Sequence, residues 1–116
     1  MSAQQTIPIR IYYEDTDAGG VVYHARYLHF FERARTEYLR SIGFTQQVLL
    51  REQQIAFVVK SLVIDYKFPA KLDDWLFVET EIVAIKGATI LFKQYLKRDT
   101  DVLSMADVKV ACVDLN

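Results

Sequence analysis

A chain of 116 residues is the size of one compact domain, and its 52% hydrophobic and 13% aromatic residues supply one aromatic-rich core. Its 14 basic and 15 acidic side chains nearly cancel, to a formal charge of -1 without long single-sign runs, which argues against nucleic acid or an anionic membrane as the main partner. A single cysteine, Cys112, excludes an intrachain disulfide, and no apolar run approaches the ~20 residues of a membrane-crossing helix.

Residues 1–10 lack a basic segment followed by an apolar stretch, so a cytoplasmic location is the expectation. Ile7 to Tyr13 alternate and favour a strand, which EDTDAGG at 14–20 must end, because acids and paired glycines form turns. From Ala25 to Ser41 the residues Tyr27, Phe30, Phe31, Ala34 and Tyr38 recur at spacings of three and four, continued by Ile42, with Glu32, Arg33, Glu37 and Arg40 between them. That is the pattern of an amphipathic helix, about 25 Å long, and Gly43 supplies the residue type favoured at its C-terminus. Thr45 to Gln54 reads as a short second helix, capped by Thr45 and carrying Val48 and Leu49 inward.

Four long β-favouring runs follow, at 55–68, 75–86, 88–98 and 102–114. Their separators, PAKLDD, the turn at Lys86 and Gly87, and DTD at 99–101, are short enough for hairpins, so the second half reads as an antiparallel meander. In the third run Ile90, Phe92 and Leu96 alternate with Thr89, Lys93 and Lys97, as expected when one face is wet. The first run differs, because Val59 and Val63 oppose Val58, Leu62 and Ile64; a subunit interface would cover its second apolar face. The expected architecture is a single α+β domain over residues 1–116, a two-layer sandwich of five antiparallel strands with the long helix filling the concave face.

Chemistry concentrates between Tyr13 and Tyr27. Asp17 follows a strand and precedes Gly19 and Gly20, which let the backbone approach a ligand closely, and His24 lies where the helix begins. Free amides at a helix start polarise a carbonyl oxygen, so a carboxylate and oxyanion donors would share one loop. Acids before a helix also serve as simple caps, the reading given to Glu14 and Asp15. Asp15, Asp17 and His24 do not make a convincing metal set, since no second histidine stands at helical ligand spacing from His24. The segment GGVVY lacks the Lys and Ser or Thr of a phosphate-cradling loop.

The stretch DTDAGGVVYHARYLHFFERARTEYL resembles the signature of hotdog-fold thioesterases of the 4-hydroxybenzoyl-CoA thioesterase class, closest to the acyl-CoA thioesterases associated with the Tol-Pal system. AFVVKSLVIDYKFPAKLDD is similar to the same group, so the resemblance covers nearly the whole chain. It implies a hotdog fold and hydrolysis of a coenzyme A thioester without metal or cofactor, coenzyme A being part of the substrate. It also implies that Asp17 is the catalytic carboxylate, acting as general base on water or as nucleophile, and that the His24 amide polarises the carbonyl while its imidazole orients thioester or water. Gly20, Val22 and Tyr23 are then expected to bind substrate; Lys60, Lys67, Lys71, Lys86 and Arg98 near strand ends and turns are candidate cations for the coenzyme A phosphates, with Lys60 and Lys86 put first. Related thioesterases carry a basic run at the turn corresponding to Lys86, Gly87 and Ala88, where only Lys86 is basic here. Homodimers or homotetramers with the site between subunits are the implied assembly. An acyl-carrier or envelope-assembly interaction module on the same scaffold is the competing reading, with acyl carrier protein as its partner.

Overall fold

The computed structural model describes residues 5–115. Five strands, β1 (Gln5–Arg10), β2 (Ile55–Tyr66), β3 (Trp75–Lys86), β4 (Thr89–Arg98) and β5 (Asp101–Asp114), form one antiparallel sheet, which packs on the helix α1 (Arg26–Ser41). This is the hotdog arrangement, a sheet wrapped around one long helix. α1 turns Tyr27, Phe30, Phe31, Ala34, Tyr38 and Leu39 into the core, where they meet Ile9, Leu76, Val78, Phe92, Leu96 and Val108 of the sheet. At Gly43 the backbone is left-handed, φ +98°, which a residue without Cβ adopts at no steric cost.

Three expectations change. The first strand ends at Arg10, and Tyr13–Asp15 form a tight turn, because the Asp15 carboxylate accepts the Tyr12 amide at 2.9 Å and pulls the chain round. The short second helix is α2 (Gln46–Val48), and Leu49–Gln53 continue it in a wider turn that ends at left-handed Gln54; Val48 is exposed rather than turned inward. Most consequential is the strand order, β1-β3-β4-β5-β2. The meander is confined to β3, β4 and β5, while β2 pairs with β5 and lies at the sheet edge. Residues 67–74 therefore form no hairpin. They cross the end of the sheet from one edge strand to the strand beside the opposite edge.

The core holds one polar network. Arg35, 6% exposed on the inner face of α1, donates from Nη1 to Gln94 Oε1 of β4 at 2.9 Å. Gln94 Nε2 in turn donates to the Phe31 carbonyl and to Thr80 Oγ1 of β3, each at 2.9 Å. One glutamine thus ties helix to sheet, and its removal would leave a buried cation, a carbonyl and a hydroxyl without this partner. Gln94→Leu should lower unfolding stability by about 2–4 kcal/mol. Urea denaturation would show this as a lower midpoint at an unchanged slope.

Candidate active site

The loop carrying Asp17 is built by short-range bonds. Asp17 Oδ1 accepts the Gly19 amide at 3.0 Å, the Asp17 carbonyl accepts the Gly20 amide at 3.1 Å, and the Asp17 amide donates to Val21 O at 3.0 Å. Gly20 has φ +76°, so any side chain there would strain the turn. Asp15, beside it, is a buried anchor: Oδ1 accepts from Arg26 Nη2 at 2.6 Å and Nε at 3.0 Å, fixing the loop to the first residue of α1. Asp15 is thus structural and Asp17 remains exposed.

The crossing segment clasps this loop along its length. Leu72 donates to Gly20 O at 3.0 Å, Val22 donates to Ala70 O at 2.8 Å, and Ala70 donates to the Tyr27 hydroxyl at 2.9 Å. Asp73 closes the end with a bond to Ile11 O at 3.1 Å. The loop and the start of α1 are therefore held by hydrogen bonds to a segment about fifty residues further along.

Between them lies a cavity of about 370 Å³ lined by Asp17, Tyr23, His24, Tyr27, Tyr66 and Lys67 among others. The His24 ring lies 4.7 Å from that of Tyr23 and 6.0 Å, edge-on, from that of Tyr66. Tyr66 also donates its hydroxyl to the His24 carbonyl at 3.1 Å, fixing the backbone at the helix start. The helix begins slightly later than expected: the amides of Arg26, Tyr27 and Leu28 already bond to the carbonyls of Tyr23, His24 and Ala25. The amides of His24 and Ala25 have no acceptor among the described residues, and Ala25, the residue before the helix, caps nothing with its side chain. The free donors thus belong to the turn leading into α1, where His24 lines the cavity.

Of the residues singled out from sequence, Asp17, Val22, Tyr23 and His24 line this cavity and Gly20 shapes its turn. Lys60 and Lys86 lie elsewhere in the same chain. Lys60 falls at the irregularity in the β2 pairing with β5, roughly 20 Å along the strand from Tyr66, and Lys86 ends β3 roughly 35 Å from Trp75. The cation in the cavity wall is Lys67. It is one of the five candidate cations and comes from the strand exit YKFP.

The chain matches the thioesterase-like superfamily over residues 12–116, and it belongs to that family. Among curated proteins it is 74% identical over 110 residues to an acyl-CoA thioesterase of Haemophilus influenzae, covering 95% of this chain and 81% of the relative. It is 51% identical over 108 residues to an acyl-CoA thioester hydrolase of Escherichia coli, covering 92% and 80%. Among solved structures, a probable thioesterase from Bartonella henselae superposes with a TM-score of 0.92 at 38% identity, covering 97% of this chain and 94% of the other. A 4-hydroxybenzoyl-CoA thioesterase mutant in complex with 4-hydroxybenzoyl-CoA shares the fold, with a TM-score of 0.90 at 20% identity over 96% and 84% of the two chains.

Tyr27 makes the clasp sensitive to alkali. Burial raises its pKa above the ordinary tyrosine value, and the lowering effect of the Ala70 amide is smaller. The folded state therefore keeps the proton that the unfolded chain loses, so the stability is intact below about pH 10 and falls as pH rises through the folded pKa. Tyr27→Phe, which leaves the Ala70 amide unpartnered, should cost about 1–2 kcal/mol at neutral pH. It should also flatten the alkaline decline in melting temperature.

Proposed function

We propose that the chain hydrolyses acyl-CoA thioesters to a free acid and coenzyme A in the cavity beside Asp17. The observation that carries this reading is that an exposed carboxylate and an imidazole line one cavity beside a helix start with two unengaged amides, in a chain whose family is thioesterase-like. The relatives named as acyl-CoA thioesterases support the substrate class.

In this scheme the thioester oxygen accepts the amide hydrogens of His24 and Ala25, which stabilise the negative charge that forms as the carbonyl becomes tetrahedral. Asp17 takes a proton from the attacking water, and His24 orients water or thioester. The coenzyme A thiolate leaves and is reprotonated. Gly20, Val22 and Tyr23 shape the approach to the carbonyl. Lys67, at the cavity wall, is a nearer cation for a coenzyme A phosphate than Lys60 or Lys86 of the same chain.

A homodimer or homotetramer in the cytoplasm is the proposed working form. The edge strand β2 offers an unpaired side with Val58, Val59 and Val63 at 48, 44 and 63% exposure, an apolar edge that a second copy would cover. Lys60 lies on that edge. A link to the Tol-Pal system belongs to the same proposal.

Asp17→Asn should lower the turnover of acyl-CoA esters by about 10²–10⁴-fold without changing the melting temperature appreciably. Thiol release from a panel of short, long and aromatic acyl-CoAs, and from acylated acyl carrier protein, measures this. Turnover by the variant at the wild-type rate would remove Asp17 from the mechanism. Binding of carrier protein without thiol release by the wild type would favour the interaction module.

A further inference from the structure

Arg35 is the one buried arginine among the described residues, and its single hydrogen bond there goes to the neutral Gln94. Burial lowers its pKa, against a smaller raising effect of Glu32, which is not within ion-pair distance. A guanidinium has five donors; one goes to Gln94, and none of the others is a fully enclosed atom without a partner, so the remaining ones face the cavity that Arg35 lines.

Arg35 lines a cavity of about 250 Å³ that also touches Thr36, Phe92, Val110, Val59 of the β2 edge proposed above as a subunit contact and, at its exposed rim, Glu32. A second cavity of about 290 Å³ shares Leu39 and Phe57 with it and is walled by Ile42, Phe44, Ile82, Ile85, Ile90 and Cys112, with almost no polar surface. Each alone is at or below the lower limit of about 300 Å³ for a ligand pocket, and together they lie within the usual range. The first cavity supplies a buried cation with spare donors, and the second supplies a dry end. From Arg35 to Ile42 the helix advances about 10 Å, the scale of a medium-length aliphatic chain.

We infer that the paired cavities beneath α1 bind an aliphatic monocarboxylate, its carboxylate on the Arg35 guanidinium and its tail past Leu39 and Phe57 against Ile42 and Ile85. A planar carboxylate accepts two guanidinium hydrogens side by side, which one amide oxygen does not offer. The solvated Glu32 carboxylate at the rim opposes entry of an anion, so the head group must pass it to reach the buried donors. Within the chain its lining shares no residue with the Asp17 cavity, and it stands whether or not Asp17 hydrolyses thioesters. Because a free fatty acid is the product class of such hydrolysis, a working thioesterase would carry a place where its product accumulates.

The test uses decanoate, decanol and decyltrimethylammonium on the full-length protein, with calorimetric binding and the alkylation rate of Cys112, the chain's only thiol, by iodoacetamide. Decanoate should bind saturably and slow Cys112 alkylation at least tenfold, decanol should bind at least tenfold more weakly, and the ammonium should not bind. Asp17→Asn should leave binding and protection unchanged, and Arg35→Met should weaken decanoate at least tenfold while sparing decanol. Ala88→Trp, at an exposed position on the rim of the apolar cavity, should weaken decanoate more than hexanoate, and this variant tests the tail placement even if Arg35→Met does not fold. Equal affinity for decanoate and decanol, full decanoate affinity in Arg35→Met, unchanged affinity in Ala88→Trp, or loss of protection in Asp17→Asn would each overturn the assignment.

Discussion

Everything near Asp17 depends on the hydrogen-bonded clasp between two segments remote in sequence, in which Val22 donates to Ala70 O and Ala70 donates to the Tyr27 hydroxyl. Ala70 itself is fully buried, so neither its amide nor its carbonyl has water as a ready substitute. Tyr27 comes from the first turn of α1 and Val22 from the loop before it. The crossing segment thus fixes where the helix starts relative to the Asp17 turn. A carboxylate and a set of amides a few residues apart become a site only when the angle between their segments is held, because donor geometry of this kind tolerates little displacement.

The long helix sets the second constraint. Its apolar face buries Phe30 and Phe31 against the sheet, and that packing leaves its N-terminal turn at the end of the sheet where residues 67–74 cross. Fold and site are therefore one construction: the connection that reaches β3 from the edge strand β2 is also the wall of the cavity. Tyr66 and Lys67 line it because β2 ends there. The Arg35–Gln94 pair does the corresponding work in mid-helix, linking α1 to β4 with polar groups where apolar packing would have sufficed for stability.

Local pattern was enough to read the elements. The apolar spacing between Tyr27 and Tyr38 marks α1 within one residue of its observed start, and alternation from Trp75 to Lys86 gives β3 with its observed ends. The order of strands is not a local property. PAKLDD has the turn formers of a hairpin whether its strands are neighbours or not, and the pairing of β2 with β5 joins residues about fifty positions apart. For the same reason Asp17 and His24 are legible from one short motif, whereas sequence offers Lys67 only as one of five candidate cations and does not rank it above Lys60 and Lys86. Lys60 and Lys86 were chosen for their nearness to strand ends or turns, a property that does not say which end of the sheet a residue occupies. Gln94 stands out in sequence as a polar residue in the alternation of Phe92 and Leu96, but its meaning needs Arg35, which comes from another layer of the fold.

The proposed chemistry turns on one contact, between a thioester oxygen and the amides that precede α1. A crystal structure of the protein with a non-hydrolysable acyl-CoA ketone analogue measures it directly. The carbonyl oxygen should lie about 2.7–3.1 Å from the His24 amide nitrogen, with the Asp17 carboxylate facing the carbonyl carbon across room for one water. An analogue whose carbonyl points to solvent, or binds away from the Asp17 loop, would contradict this arrangement.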